Sequence, residues 1–151
     1  MAGYLTALQA SNPALALQIT DQWHQLQARG AKAAAIMLFA YDPTACTTEL
    51  AATASTKSLA SFVVEFSDEG QAERAWGAGI LGFATPAPDQ VAPGILRGSG
   101  TGLGDSSWTY NNPQVQLACW RRSAFVSLVV LNNLDATAYK AVTVAIDARL
   151  N

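Results

Sequence analysis

The stretch from residue 115 to residue 131, VQLACWRRSAFVSLVVL, decides the fold because it holds two apolar segments on either side of a short polar turn. In the first segment, Val115, Leu117 and Cys119 recur at every second position, and the second segment begins at Phe125. A spacing of two is typical of β-strands. Parallel strands need a crossover of a dozen or more residues, and the turn between these segments is far shorter. The stretch therefore predicts a β-hairpin within an antiparallel sheet.

A further strand is predicted for residues 59–66, LASFVVEF. Phe62, Val64 and Phe66 fall on one face of this strand, while Glu65 falls on the other. Such alternation is the pattern of an antiparallel strand with one buried face and one solvated face. We therefore expect the three apolar side chains to be buried in the core.

Helical spacing of apolar residues, together with turn residues, places the remaining elements. The predicted order is a helix from Pro13 to Gly30, a strand from Ala33 to Tyr41, the strand at 59–66, a helix to about Gly79 with Ser67 as its N-cap, a long loop from Gly82 to Ser107, the hairpin, and a final helix capped by Asn132 or Asn133. This order indicates an α+β fold in a single domain, residues 1–151. Its antiparallel sheet is expected to carry the first, second and last of these helices mainly on one face. The residues expected to form one apolar cluster are Trp23, Phe62, Val64, Trp76, Val142 and Ile146.

The charge balance and the lengths of the apolar stretches argue against nucleic acid and a lipid bilayer as partners. The formal net charge is -2, charged residues make up 13% of the chain, and no basic cluster exceeds the pair Arg121 and Arg122. Nucleic acid is therefore not an expected partner. The most apolar stretch, residues 33–40, is far shorter than the roughly 20 residues that span a bilayer, so direct membrane insertion is not expected either.

Composition also bears on location. The N-terminus lacks the basic region and apolar core of a signal peptide. The chain is nevertheless poor in Lys and Glu and rich in Ser, Thr, Asn and Gln. We therefore expect an extracytoplasmic protein, secreted or anchored as a lipoprotein, whose signal peptide is absent from this sequence.

Neither a metal nor a cofactor is predicted. The two cysteines, Cys46 and Cys119, and the single histidine, His24, do not give the clustered ligand spacing of a zinc site. The glycines within residues 98–104 are not followed by the Gly-Lys-Ser/Thr sequence of a phosphate-binding loop. Sequence alone leaves open whether the two cysteines form a disulfide, which would contribute about 4 kcal/mol, or stay as buried thiols.

The long loop is the place where a binding site is expected. Residues 82–107 carry no regular period, and unstructured segments of that length in a compact domain are usually functional. Aromatic residues beside arginines are common in binding surfaces, and arginine suits a carboxylate or another anionic group. The predicted ligand-binding residues are Arg97, Asp105, Ser106, Trp108, Tyr110 and Arg121. The leading hypothesis is a non-catalytic binding or accessory domain for an unknown protein or a small anionic ligand.

Two other classes of function are alternatives to this hypothesis. Gly104-Asp105-Ser106 is similar to the nucleophile block of certain lipases and esterases, and a nucleophilic serine needs a base. A small hydrolase-like enzyme would have to combine Ser106 and Asp105 with His24, although such hydrolases place their histidine late in the chain. The third possibility is a homo-oligomer that pairs through a sheet edge or through the alanine-rich last helix.

A resemblance to known proteins is carried by four short segments. They are FSDEGQAERAW at 66–76, GLGDSS at 102–107, CWRRSAFVSLVV at 119–130 and DARL at 147–150. Together these segments resemble a type of bacterial secreted or lipoprotein domain of uncharacterised function, related to the PsbP/Mog1-like α+β sandwiches. In those proteins a strand feeds an alanine-rich helix, a Gly-Asp-x-Ser loop precedes a strand with an arginine pair, and a final helix covers the sheet. The resemblance implies the fold and export but no chemistry, and Ser123 replaces the usual glycine after the arginine pair.

Overall fold

The computed structural model describes residues 1–41, 56–87, 89–90 and 92–150. Its elements in chain order are α1 (Ala2–Ser11), α2 (Pro13–Ala28), β1 (Ala31–Ala40), β2 (Ser58–Phe66), α3 (Glu69–Ala78), β3 (Ile95–Arg97), a 3-10 helix (Gly98–Thr101), β4 (Ser107–Asn111), β5 (Val115–Arg122), β6 (Phe125–Asn132) and α4 (Ala136–Asp147). The strands form one sheet in the order β1-β2-β6-β5-β4-β3, and each neighbouring pair is antiparallel. The predicted α+β class with an antiparallel sheet is thereby confirmed.

The β5–β6 hairpin lies in the interior of the sheet, with the register that its short turn imposes. Val115 pairs with Asn132 at one end, and Arg122 pairs with Phe125 at the other. Ser123 in the turn has a φ of 49°, in the left-handed region that glycine adopts most easily. This turn therefore has a backbone geometry that glycine would adopt without the steric cost that serine meets.

Alternate residues of the central strands build two apolar clusters, one on each face of the sheet. On the first face, named face A, Phe62 and Val64 are fully buried with residues of α1, α2 and α3. On the second face, named face B, Trp120 is fully buried and packs with the α4 residues Val142 and Ile146. Three helices thus cover face A, and α4 covers face B.

Two expectations about the core are corrected by this arrangement. The last helix does not share a face with the earlier helices, and the expected single cluster is divided, because Val142 and Ile146 lie across the sheet from the buried β2 residues. Trp23 and Trp76 belong to face A but are only partly buried. An amphipathic stripe shows that a helix has a buried side, but it does not say which face of a sheet that side meets.

Aspartates rather than the predicted residues cap the last two helices. The side chain of Asp68 accepts a hydrogen bond from the third residue after it, so Asp68 is the N-cap of α3 and Ser67 is not. Asp135 caps α4 in the same way, which corrects the expectation of Asn132 or Asn133. A carboxylate at this position satisfies a free N–H group and also meets the positive end of the helix.

The N-terminal part of the chain forms two helices, of which the sequence predicts only the second, α2. α1 shows no amphipathic pattern and was not predicted. The Asn12 side chain accepts a hydrogen bond from the N–H of Leu15 at 3.1 Å, and Pro13 occupies the first helical position. The predicted start of α2 is therefore confirmed.

The long loop is more ordered than the sequence indicated. It contains β3 and the 3-10 helix, and β4 begins at its end. Gly94 has a φ of 84°, and a Cβ atom there would lie 2.2 Å from the carbonyl oxygen of Asn111, so this approach to β4 requires glycine. A strand of three residues is too short to show a period, which explains why β3 was missed.

Candidate functional site

Most of the predicted binding residues meet at the end of the sheet where β4 begins. The N–H of Arg121 donates to the carbonyl oxygen of Ser106 at 2.8 Å. Arg97 lies opposite Trp108 in the β3–β4 pair, while Tyr110 lies further along β4, opposite Leu117. The structure thus brings Arg97, Ser106, Trp108 and Arg121 to one end of the sheet and sets Tyr110 towards the other.

Several of these side chains are already engaged within the fold. Trp108 is 6% exposed and belongs to the face A core, so the contact area expected of it is used internally. Tyr110 is half-buried against the same cluster and accepts a hydrogen bond from the Asn112 side chain. Asp105 is exposed. Nη1 of Arg97 is enclosed, and within the described residues it has no hydrogen-bond partner.

Arg121 is paired with a carboxylate of α3. Its Nε contacts Oε2 of Glu73, and its Nη1 donates to the carbonyl oxygen of Ser123 at 3.1 Å. The Ser106 hydroxyl donates to the same Glu73 oxygen at 2.9 Å. Arg121 therefore helps to hold α3 to the sheet, and its positive charge is balanced before any ligand arrives.

Arg122 makes the corresponding contact on face B. Its Nε and Nη2 donate to the two carboxylate oxygens of Asp147, at 2.9 and 2.7 Å. The indole Nε1 of the fully buried Trp120 donates to Asp147 at 2.9 Å. These hydrogen bonds to Asp147 raise the pKa of the Arg122 guanidinium. The neighbouring arginines thus anchor one helix on each face of the sheet.

We expect the two ion pairs to differ in strength. The Glu73 side chain is 48% exposed, so a double-mutant cycle between Glu73→Ala and Arg121→Ala should give a coupling free energy below about 1 kcal/mol. Arg122 and Asp147 make a two-pronged, more enclosed contact, and the same cycle there should give about 1 to 3 kcal/mol. Each cycle compares the parent protein, the two single variants and the double variant, and urea denaturation measures the free energy of unfolding of each. Equal couplings would contradict this ranking.

The residues of the hydrolase alternative do not form a catalytic arrangement in the described structure. The hydroxyl of Ser106 donates to Glu73, a carboxylate that is already paired with Arg121. His24 is exposed on α2, and within the described residues no hydrogen bond connects it to Ser106 or to Asp105. A nucleophilic serine requires a base in hydrogen-bond contact with its hydroxyl. This geometry gives Ser106 a structural partner instead.

A groove on face B lies between the long loop, the turn that joins β4 to β5, and the helix α4. We name it the α4 groove; its volume is about 640 Å³. The lining residues are Thr101, Gly102, Leu103, Asn111, Asn112, Pro113, Gln116, Ala136, Tyr139, Lys140, Thr143 and Val144. Volumes of about 300 to 1,000 Å³ are typical of small-molecule sites. The groove is therefore large enough for such a ligand.

The polar groups of the α4 groove divide into engaged and free ones. Thr101 and Asn112 satisfy neighbouring groups of their own loops, and Thr143 bonds within α4. In the described structure, the side chains of Asn111, Gln116 and Lys140 make no hydrogen bond or ion pair with the protein. Among the lining residues that the structure describes, Lys140 is the only charged one. The groove therefore presents one cation and two amides to a bound molecule.

Below this surface, Tyr139 marks the enclosed wall of the groove. Its hydroxyl faces that of Thr109, but within the described residues neither makes a hydrogen bond of good geometry. Burial raises the pKa of Tyr139 to about 12, and the nearby Thr109 hydroxyl opposes part of that rise. Tyr139 is therefore a neutral wall residue at physiological pH.

The groove was not predicted because its residues carry no local motif. Thr101 to Leu103 belong to the loop that was expected to bind a ligand, but Gln116 and Lys140 come from a strand and a helix distant in sequence. A single lysine on an amphipathic helix has the pattern of a solvated residue. The surrounding surface that makes Lys140 distinctive exists only in the folded chain.

No protein-family model, curated protein or solved structure matches this chain.

Within the described residues, no cluster of three or more His, Cys, Asp or Glu side chains is arranged to hold a metal ion. Cys119 is a buried free thiol. Cys46, the second cysteine of the disulfide that the sequence left open, lies outside the described residues. Among the described helices, none is long and apolar enough to cross a membrane.

Proposed function

We propose that this chain is a non-catalytic binding domain that takes a small anionic ligand in the α4 groove. The observation that carries this proposal is the charge of the lining: among its described residues Lys140 is the only charged one, and none of them is a carboxylate. The free amides of Asn111 and Gln116 supply hydrogen bonds around the same space. An ammonium group with amide neighbours suits a carboxylate or another singly charged group.

The apolar part of the lining supports the same class of ligand. Leu103, Pro113 and Val144 surround the groove, and Val144 is 56% exposed. Small-molecule sites combine such apolar walls with a few polar groups that fix orientation. A molecule with an apolar body and one anionic group therefore matches the groove better than a multiply charged ion. The long loop contributes residues 101–103 to the lining, whereas Arg121 of β5 is not a lining residue.

The proposal is tested by titrating the ¹⁵N-labelled protein with a series of carboxylates, such as hexanoate and benzoate, and following amide chemical shifts. The expected shifts cluster at residues 101–103, 111–116 and 136–144. Lys140→Gln should weaken binding about tenfold, because loss of a charge-assisted hydrogen bond removes roughly 1.5 kcal/mol. Lys57→Gln, which removes an exposed lysine outside the groove, is the matched control and should leave affinity unchanged.

Two results would contradict the proposal. Shifts that avoid the groove, or binding that is insensitive to Lys140→Gln, would remove the assigned site. Covalent labelling of Ser106 by a serine-reactive phosphonate would instead support the hydrolase-like alternative, and the label is identified by mass spectrometry of the digested protein.

We also propose an extracytoplasmic location and a relation to the PsbP/Mog1-like sandwiches. The amino-acid composition supports the first, and the four resembling segments support the second. Fractionation of cells that express the full-length gene product tests the location, and recovery solely from the cytoplasm would refute it.

A further inference from the structure

The edge strand β1 is apolar on both of its faces. On face A, Ala34, Ile36 and Leu38 pack against the core cluster. On face B, Met37 and Phe39 are 54% and 55% exposed. A strand with apolar residues on both faces is typical of a position covered on both sides. This strand therefore exposes more apolar surface than its place in a monomer explains.

The outer edge of β1 has few of the features that usually protect a sheet edge. Proteins protect edges with short strands, charges, proline, bulges or a covering helix or loop. The opposite edge follows this rule, because β3 is three residues long. In contrast, β1 has ten residues, contains no proline and carries one charged residue, Lys32. Its only register irregularity lies at the start of the strand, between Ala31 and Ala33. In the part of the chain that the structure describes, no strand pairs with this edge.

The hydrogen bonds of β1 show which main-chain groups point outward. The N–H of Tyr41 donates to the carbonyl oxygen of Lys57 at 3.0 Å, so odd-numbered residues of β1 face β2. Even-numbered residues then direct their N–H and C=O groups away from the sheet. The amino group of Met1 donates to the carbonyl oxygen of Ala34 at 3.2 Å, in agreement with this orientation. The outward groups of Ile36 and Leu38 point the same way.

We propose that β1 pairs antiparallel with β1 of a second copy, about a twofold axis at Ile36. Three alanines precede Ile36, and three large apolar residues follow it. Antiparallel self-pairing about this residue sets the small half of one strand against the large half of the other. Ala35 lies opposite Met37 of the second copy, and Ala33 lies opposite Phe39 of the second copy. If the axis lay one residue earlier or later, Ala35 or Met37 would lie opposite the same residue of the second copy. Small residues would then no longer lie opposite large ones.

The energetics of this pairing are favourable in the proposed register. The outward groups of Ala34, Ile36 and Leu38 would exchange about six main-chain hydrogen bonds with the second copy. The carbonyl of Ala34 would exchange its hydrogen bond from Met1 for one from Leu38 of the second copy, a substitution with little net change in free energy. The two Lys32 residues lie at opposite ends of the pair, and a net charge of -2 per chain gives little repulsion.

The proposal is tested by sedimentation velocity of the full chain over a dilution series from high to low micromolar concentration. We expect a reversible dimer. Ala34→Pro removes an outward N–H without removing a β1–β2 hydrogen bond, and Ala35→Lys adds a charge beside the axis; each should weaken the dimer at least about tenfold. Leu96→Lys is the matched control, because it adds the same charge to an exposed apolar residue of the other edge strand, and it should leave the dimer unchanged.

The outcomes separate this inference from its alternatives. A strict monomer at several hundred micromolar would overturn it, as would a dimer that resists both β1 substitutions. A dimer that Leu96→Lys disrupts would assign the contact to β3 instead. Circular dichroism of each variant establishes that the fold is retained, and Ala35→Lys keeps the test decisive if Ala34→Pro does not fold. Because β1 lies outside the lining of the α4 groove, ligand binding there neither supports nor contradicts the dimer.

Discussion

Replacing Trp120 by alanine should lower the free energy of unfolding by about 4 kcal/mol, because the indole is fully buried at the centre of face B. The substitution leaves a large cavity under α4 and also removes the hydrogen bond from the indole to Asp147. Urea denaturation monitored by circular dichroism measures the loss.

Two further variants separate the parts of this effect. Trp120→Phe keeps much of the ring volume but not the N–H group, so it should lose less stability than the alanine variant and report mainly on the Asp147 contact. Trp23→Ala is the matched control, because Trp23 is a tryptophan that is only partly buried on face A. A loss for Trp120→Ala no larger than that for Trp23→Ala would show that face B contributes little to stability.

The protein should also lose several kcal/mol of stability between pH 9 and pH 12. Burial raises the pKa of the Cys119 thiol from its ordinary value of 9.0 to about 12. The neutral thiol therefore fits the folded state, and its contribution is fully present below pH 9. As the pH rises, the unfolded chain releases this proton first, so stability falls through the window, by about 4 kcal/mol at pH 12 for this group.

Tyr139 adds to this loss in the upper part of the same window, because burial raises its pKa to about 12 as well. Denaturation in reducing buffer at pH 8, 10 and 11 measures the combined slope. Cys119→Ala should flatten the slope between pH 9 and 11, and Tyr139→Phe should flatten it above pH 10. Cys46 is present in both the parent and these variants, so the differences isolate the substituted residue. An unchanged slope in Cys119→Ala would refute the assignment.

The parts of the fold that the sequence predicted are those with a local signal. β5 and β2 show apolar residues at every second position, β6 is an apolar run joined to β5 by a short turn, and the start of α2 shows the Asn12–Pro13 pair. The side of the sheet on which α4 lies was not predictable, because its apolar stripe fits either face. β3 is too short to show a period, and α1 lacks an amphipathic pattern.

The candidate site was predictable only in part, for the same reason. The sequence assigned the charges of Arg97 and Arg121 to a ligand, because both lie close to aromatic residues in the chain. In the structure, Arg121 and Arg122 meet Glu73 and Asp147, carboxylates that lie 48 and 25 residues away in sequence. Such long-range pairs leave no trace in local spacing, so the free cation of Lys140 could be recognised only after the paired ones were known.

The division of the helices between the two faces has a consequence for the order of folding during synthesis. The helices that cover face A precede the β5–β6 hairpin in the chain, whereas α4 follows it. When the hairpin leaves the ribosome, the Phe62 side of the sheet can be covered at once, but the Trp120 side cannot. Nascent chains would therefore carry an apolar sheet surface until residues 136–147 emerge. Slow translation of that last segment would prolong the interval in which chaperones, or other nascent chains, reach it.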